Sequence, residues 1–60
     1  MEVTLTLTQA AQLADFLAGA GDIAYHIADQ LEYAEDETIK VTLLPQEVKT
    51  FELARKYLEI

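Results

Sequence analysis

Cysteine and serine are both missing from this chain of 60 residues, and histidine occurs once. Without cysteine there is no disulfide and no thiolate zinc site. One histidine excludes a multi-histidine metal site within a single chain. Without serine or cysteine, the usual catalytic nucleophiles reduce to threonine. Glycine occurs twice, in "AGAGD" (residues 18–22), and the second glycine is followed by an acid that repels phosphate, so no phosphate-binding loop is expected. No long apolar run is available to span a bilayer, and "MEVTLTLT" has no basic start of the kind a signal peptide carries. The expectation is a cytoplasmic, non-membrane protein that is not an enzyme and uses no cofactor.

Lysine and arginine are missing from residues 1–39, which hold eight acids: Glu2, Asp15, Asp22, Asp29, Glu32, Glu35, Asp36 and Glu37. Residues 40–60 hold Lys40, Lys49, Arg55 and Lys56 against Glu47, Glu52 and Glu59. The two parts therefore carry −8 and +1, which sum to the net −7 of the chain. Such a field repels nucleic acid and anionic membranes and attracts basic surfaces. It also serves solubility, whatever else it does.

What is present is a composition 52% hydrophobic, too rich for a disordered tail. A chain of this length forms one domain, residues 1–60, and buries only about 60% of its unfolded surface. Small domains supplement such a core with disulfides, metals or oligomerisation. Here a regular core or a partner chain must serve.

Val3, Leu5 and Leu7 alternate with Glu2, Thr4, Thr6 and Thr8, the period of a half-buried strand. Thr8 is then the expected cap of a helix whose stripe is Ala10, Leu13, Ala14 and Leu17, ending at Gly19 and Gly21. Asp22 is the expected cap of a second helix with stripe Ala24, Ile27, Ala28 and Leu31. That helix frays in Glu35–Glu37, where carboxylates oppose the helix dipole. Ile39, Val41 and Leu43 alternate as a second strand. Pro45 suits the first position of a third helix with stripe Val48, Phe51, Ala54 and Leu58. The reading is a small α+β domain of order β-α-α-β-α, two strands with three helices. A two-stranded sheet is marginal by itself. The expected completion is a four-stranded sheet in a homodimer, with Leu53, Tyr57 and Ile60, a second apolar stripe, as dimer contacts.

Asp22, His26, Asp29 and Gln30 share one face of the second helix. Imidazole between carboxylates can act as a base or bind a cation. Three or four converging ligands are needed for a metal site, so a solvated face and no metal is the expectation. "EYAEDE" lacks the alternating ligands and turn glycine of a calcium loop. Its carboxylates instead have a useful spacing, about 5–6 Å between neighbours three or four apart on a helix. That is comparable with the phosphates along one strand of nucleic acid. Asp22, Asp29, Glu32, Glu35, Asp36 and Glu37 thus form a candidate partner-binding face, with Tyr25 and Tyr33 as interface aromatics.

Over residues 2–34, "EVTLTLTQAAQLADFLAGAGDIAYHIADQLEYA" resembles a ribbon-helix-helix module. That resemblance implies a dimer whose paired strands enter the DNA major groove. Thr4 and Thr6 would read the groove and Asp22 would meet phosphate. DNA affinity rests largely on cations that neutralise phosphates, and this half has none. The function expected is therefore a small acidic protein-binding domain, an inhibitor or adaptor of phage or mobile-element type acting in a host cytoplasm. It would dock its acidic face, as a nucleic acid mimic, on a basic, nucleic-acid-binding surface of a target protein, with no direct nucleic-acid binding of its own. The alternatives are a ribbon-helix-helix-like regulator or antitoxin, and a purely structural oligomer or designed scaffold.

Overall fold

The computed structural model describes residues 1–59. The elements are β1 (Glu2–Thr6), α1 (Leu7–Phe16), α2 (Ile23–Glu32), β2 (Thr38–Thr42) and α3 (Pro45–Leu58). This is a small α+β fold of two antiparallel strands and three helices. Ile60, expected as a dimer contact, lies outside the described residues.

β1 pairs with β2 of the same chain, in a register that sets Val3 against Val41 and Leu5 against Ile39. These four are the inward residues, and all are buried. The ladder runs on past the strands. The Leu43 N–H donates to the Met1 carbonyl at 2.7 Å, and the Leu7 N–H donates to the Glu37 carbonyl at 3.3 Å. Odd-numbered residues of β1 therefore aim their backbone groups at β2, and Glu2 and Thr4 aim theirs at the free edge. The outer face, including Thr4, Thr6, Thr38, Lys40 and Thr42, is exposed. In a ribbon-helix-helix module the paired strands belong to two chains. Here β1 already has its ladder within one chain.

The strand alternation of the sequence runs on to Leu7, but the strand stops earlier. Leu7 is the first residue of α1 and is exposed, and the cap is Thr6 rather than Thr8. Thr6 Oγ1 accepts from the Gln9 N–H at 3.1 Å, and Gln9 Oε1 accepts from the Thr6 N–H at 3.0 Å. This reciprocal capping box satisfies two backbone donors at once, which Thr8 would not do. Thr6→Ala is expected to cost about 1 kcal/mol. A fall of roughly 4–8 °C in Tm, followed by circular dichroism, is the corresponding measurement.

α1 also ends sooner than its glycines suggest, with Leu17 as the C-cap. A turn follows in which the Ala20 N–H donates to the Leu17 carbonyl at 2.9 Å. Gly21, at φ 93°, takes the left-handed conformation that side chains avoid and so redirects the chain into α2. Asp22 precedes α2 without a side-chain cap bond, contrary to the cap expected of it. Its own backbone is already helical, which turns the carboxylate away from the first-turn N–H groups. The Asp22 carbonyl instead accepts from the His26 N–H at 3.1 Å. α2 stops at Glu32, so Glu35–Glu37 form the link to β2 and not a fraying turn.

The core joins both strands to all three helices. Phe51, Leu5, Leu13, Ile23, Ile27, Leu43 and Val41 are its largest fully buried side chains. Phe51 and Ala54 from the expected α3 stripe are buried in it, while Val48 and Leu58 pack partly buried at its edge.

Candidate functional site

α2 turns Ile23, Ala24 and Ile27 inward, packs Leu31 half-buried against the core, and leaves its other side chains to solvent. Asp22, Asp29, Glu32, Glu35, Asp36 and Glu37 are all exposed. Tyr25 on α2 and Tyr33, the C-cap of that helix, are each 72% exposed and stand eight residues apart. Along α2 the positions 22, 25, 29 and 32 recur at helical spacing, so carboxylates and a phenol share one stripe. From Asp22 to Tyr33 this stripe runs about 16 Å.

Two shallow depressions organise the stripe. Tyr25, His26, Asp29 and Glu32 line one, on α2 itself. Tyr33, Glu35, Asp36 and Lys40 belong to the other, at the junction of α2, the link and β2. Asp22 lies at the opposite end of α2 from Glu35 and Asp36, so the six expected carboxylates form a track rather than a cluster. Glu37 is set apart from them by its backbone, which closes the end of the ladder at Leu7. Among the described residues no group of three or more acidic or histidine side chains is arranged to hold a metal ion. No helix there is long and apolar enough to cross a membrane.

The fold also brings a cation to this face. Lys40 is separated from Asp29 by eleven positions in sequence, yet β2 places it beside α2, lining a further depression with His26, Asp29 and Gln30. The clean separation of charge along the chain is thus softened at one point in space.

Sequence reasoning missed Glu47. The sequence reading counts it only among the acids of residues 40–60, but it is buried to 9% exposure. Its Oε1 accepts from the Leu44 N–H at 2.9 Å, covering a donor that α3 cannot satisfy itself. Its Oε2 lies 3.4 Å from His26 Nε2. The carboxylate therefore links the N-terminus of α3 to the middle of α2. The available signal was its position: the third residue of a helix that starts at Pro45 is where a glutamate reaches back to the cap. His26 is half-exposed, so its side of the link is partly screened by water. Glu47→Ala is expected to cost about 1–2 kcal/mol, because it leaves the Leu44 N–H without its partner. His26→Ala is expected to cost less than about 1 kcal/mol. Urea unfolding of both single variants and the double variant checks the order and the coupling.

The second apolar stripe expected on α3 is present and uncovered, with Leu53 at 59% and Tyr57 at 75% exposure. It does not stand by itself. The Phe16 ring from α1 stacks on Tyr57 with ring centroids 5.0 Å apart. Together with Leu17, Ala20 and Ala54, these side chains line an apolar groove between α1 and α3.

Comparison of the chain with protein families, with curated proteins and with solved structures found no match.

Proposed function

We propose that this protein is a binding domain that docks the acidic face of α2 on a basic surface of a partner protein, as an inhibitor or adaptor. The observation that carries the reading is where α2 keeps its charge. No acid lies in its first turn and no base in its last. Glu32 ends the helix, where a carboxylate opposes the helix dipole at a cost of roughly 0.3–1 kcal/mol, and Glu35 and Asp36 follow it in the link. Charge placed against stability, beside two tyrosines held in water, fits a surface shaped by a partner. The carboxylate track is suited to a groove that otherwise binds phosphates, so the partner is a nucleic-acid-binding protein and its inhibition is competitive. A phage or mobile-element inhibitor working in the host cytoplasm is the setting that fits these properties.

The test is capture on the immobilised protein from nuclease-treated lysate of its own source, at low and high salt, followed by challenge with DNA and RNA. One basic nucleic-acid-binding protein, retained at low salt and displaced by nucleic acid, supports the reading. Retention that nucleic acid does not disturb overturns the competitive mechanism.

Self-association belongs to the same proposal. The sheet offers a second copy the outer edge of β1 or of β2, either of which would complete four strands, and α3 offers its exposed stripe.

A further inference from the structure

We infer that the free edge of β2 binds an extended segment of the partner as a third strand, a segment in which cationic residues alternate with uncharged ones. This rests on the acidic-face reading of the proposed function and gives the form of partner which that face takes.

β1 and β2 pair through their odd-numbered residues. The Met1 amino group donates to the Leu43 carbonyl at 3.1 Å, and the Leu43 N–H donates to the Met1 carbonyl at 2.7 Å. The register then turns the backbone of Ile39 and Val41 toward β1 and that of Thr38, Lys40 and Thr42 away from it. Each of these three offers an N–H and a carbonyl at the edge, and among the described residues none of these groups has a partner. The free edge of β1 is poorer, because the Thr6 N–H already donates to Gln9 Oε1.

A trough runs beside the β2 edge. One depression sets Val41 and Thr42 against His26 and Asp29, and another sets Thr38 and Ile39 against Tyr33, Glu35 and Asp36. The two share Gln30 and Lys40, so they follow β2 from end to end. The five residues of β2 span about 17 Å of extended chain. A strand added at such an edge takes its affinity from main-chain hydrogen bonds and its specificity from alternate side chains.

Charge selects the occupant. In an added strand, side chains opposite Thr38, Lys40 and Thr42 share their exposed outer face. Those opposite Ile39 and Val41 turn to the side of the sheet that packs on α2. There Asp29, Glu35 and Asp36 line the trough, and α2 and the link contain no Lys or Arg to offset them. Cations are favoured at these inner positions, and an uncharged residue is favoured opposite Lys40. A second copy is a poor occupant, since β2 against β2 brings two chains of net −7 together with their acidic α2 faces at the junction.

Fluorescence anisotropy at low salt, with an end-blocked peptide of about seven residues alternating lysine and valine, is the experiment. In the antiparallel sense that β1 already uses, the valines stand opposite Thr38, Lys40 and Thr42, and their backbone N–H groups aim at β2. Methylating the valine nitrogens should weaken binding at least about tenfold, and methylating the lysine nitrogens, which aim at solvent, should leave it within about twofold. A peptide of the same composition with its lysines gathered at one end should bind about tenfold less tightly. Asp29→Asn should weaken the alternating peptide about two- to fivefold. Amide hydrogen exchange at Thr38, Lys40 and Thr42 should slow in the saturated complex. No binding at millimolar peptide overturns the inference, and capture from lysate judges the acidic face separately. Binding that neither order nor methylation alters leaves the acidic face as the site and overturns the strand addition alone. A free protein already dimeric at the assay concentration, which the peptide does not dissociate, gives the edge to a second copy and also overturns it.

Discussion

Phe51→Ala is expected to leave the domain largely unfolded at 25 °C. Phe51 is fully buried, and the Arg55 guanidinium lies 5.7 Å from its ring centroid. Truncating a buried phenylalanine costs about 3–5 kcal/mol, the lost transfer energy plus the cavity left behind. A domain of this length holds only about 3–9 kcal/mol in total. It has no disulfide to limit the unfolded ensemble, because the chain has no cysteine. The surrounding core, drawn from both strands and all helices, cannot collapse around the gap without moving elements that are hydrogen-bonded in place. Phe51→Leu keeps most of the volume and is expected to cost less than about 1.5 kcal/mol. Urea titration followed by circular dichroism separates the two. An alanine variant with a midpoint close to the wild type would show that the core of α3 contributes little, against the burial observed.

Reversing Glu32, Glu35 and Asp36 to lysine is expected to weaken partner capture at least a hundredfold at low salt while the fold survives. Each substitution changes the charge by two, so the net moves from −7 to −1. Individual pairs at an exposed rim are worth only about 0.2–1 kcal/mol. Reversal turns each attraction into a repulsion, and it removes the steering that raises association rates by about 10- to 1,000-fold. All three positions are exposed, so no packing is lost. Lysine at position 32 even complements the helix dipole, and the variant should melt at or slightly above the wild-type temperature. Undiminished capture by the reversed protein at low salt would place the partner elsewhere on the molecule. A loss of capture that Glu2→Lys and Glu59→Lys reproduce equally would reduce the effect to net charge.

Much of this architecture is legible one residue at a time. Val3, Leu5, Ile39 and Val41 alternate with threonine, glutamate and lysine, and that period survives as the inner face of the sheet. Leu13, Ile27, Phe51 and Ala54 recur at helical spacing and are buried where that spacing puts them. The two helices that directly follow a strand, α1 and α3, begin alike. In each, a side chain at the third helical position, Gln9 or Glu47, reaches back to a backbone N–H. Boundaries were less legible, because two local patterns overlapped. Alternation carries the strand through Leu7, whereas the Thr6–Gln9 capping box starts the helix there, and two satisfied donors outweigh one more strand residue.

Periodicity is a property of neighbours in sequence, so the chain by itself determined its element order, its inward faces and the acid excess of its first 39 residues. The tertiary structure decided which distant residues meet. It paired β1 with β2 in one register, brought Lys40 to the acidic side of α2, and set Glu47 under His26. It also stacked Phe16 on Tyr57, joining an exposed residue of α1 to an exposed stripe of α3 in one groove. Those meetings depend on how three amphipathic helices share a single sheet face, and burial of the whole core selects that arrangement at once.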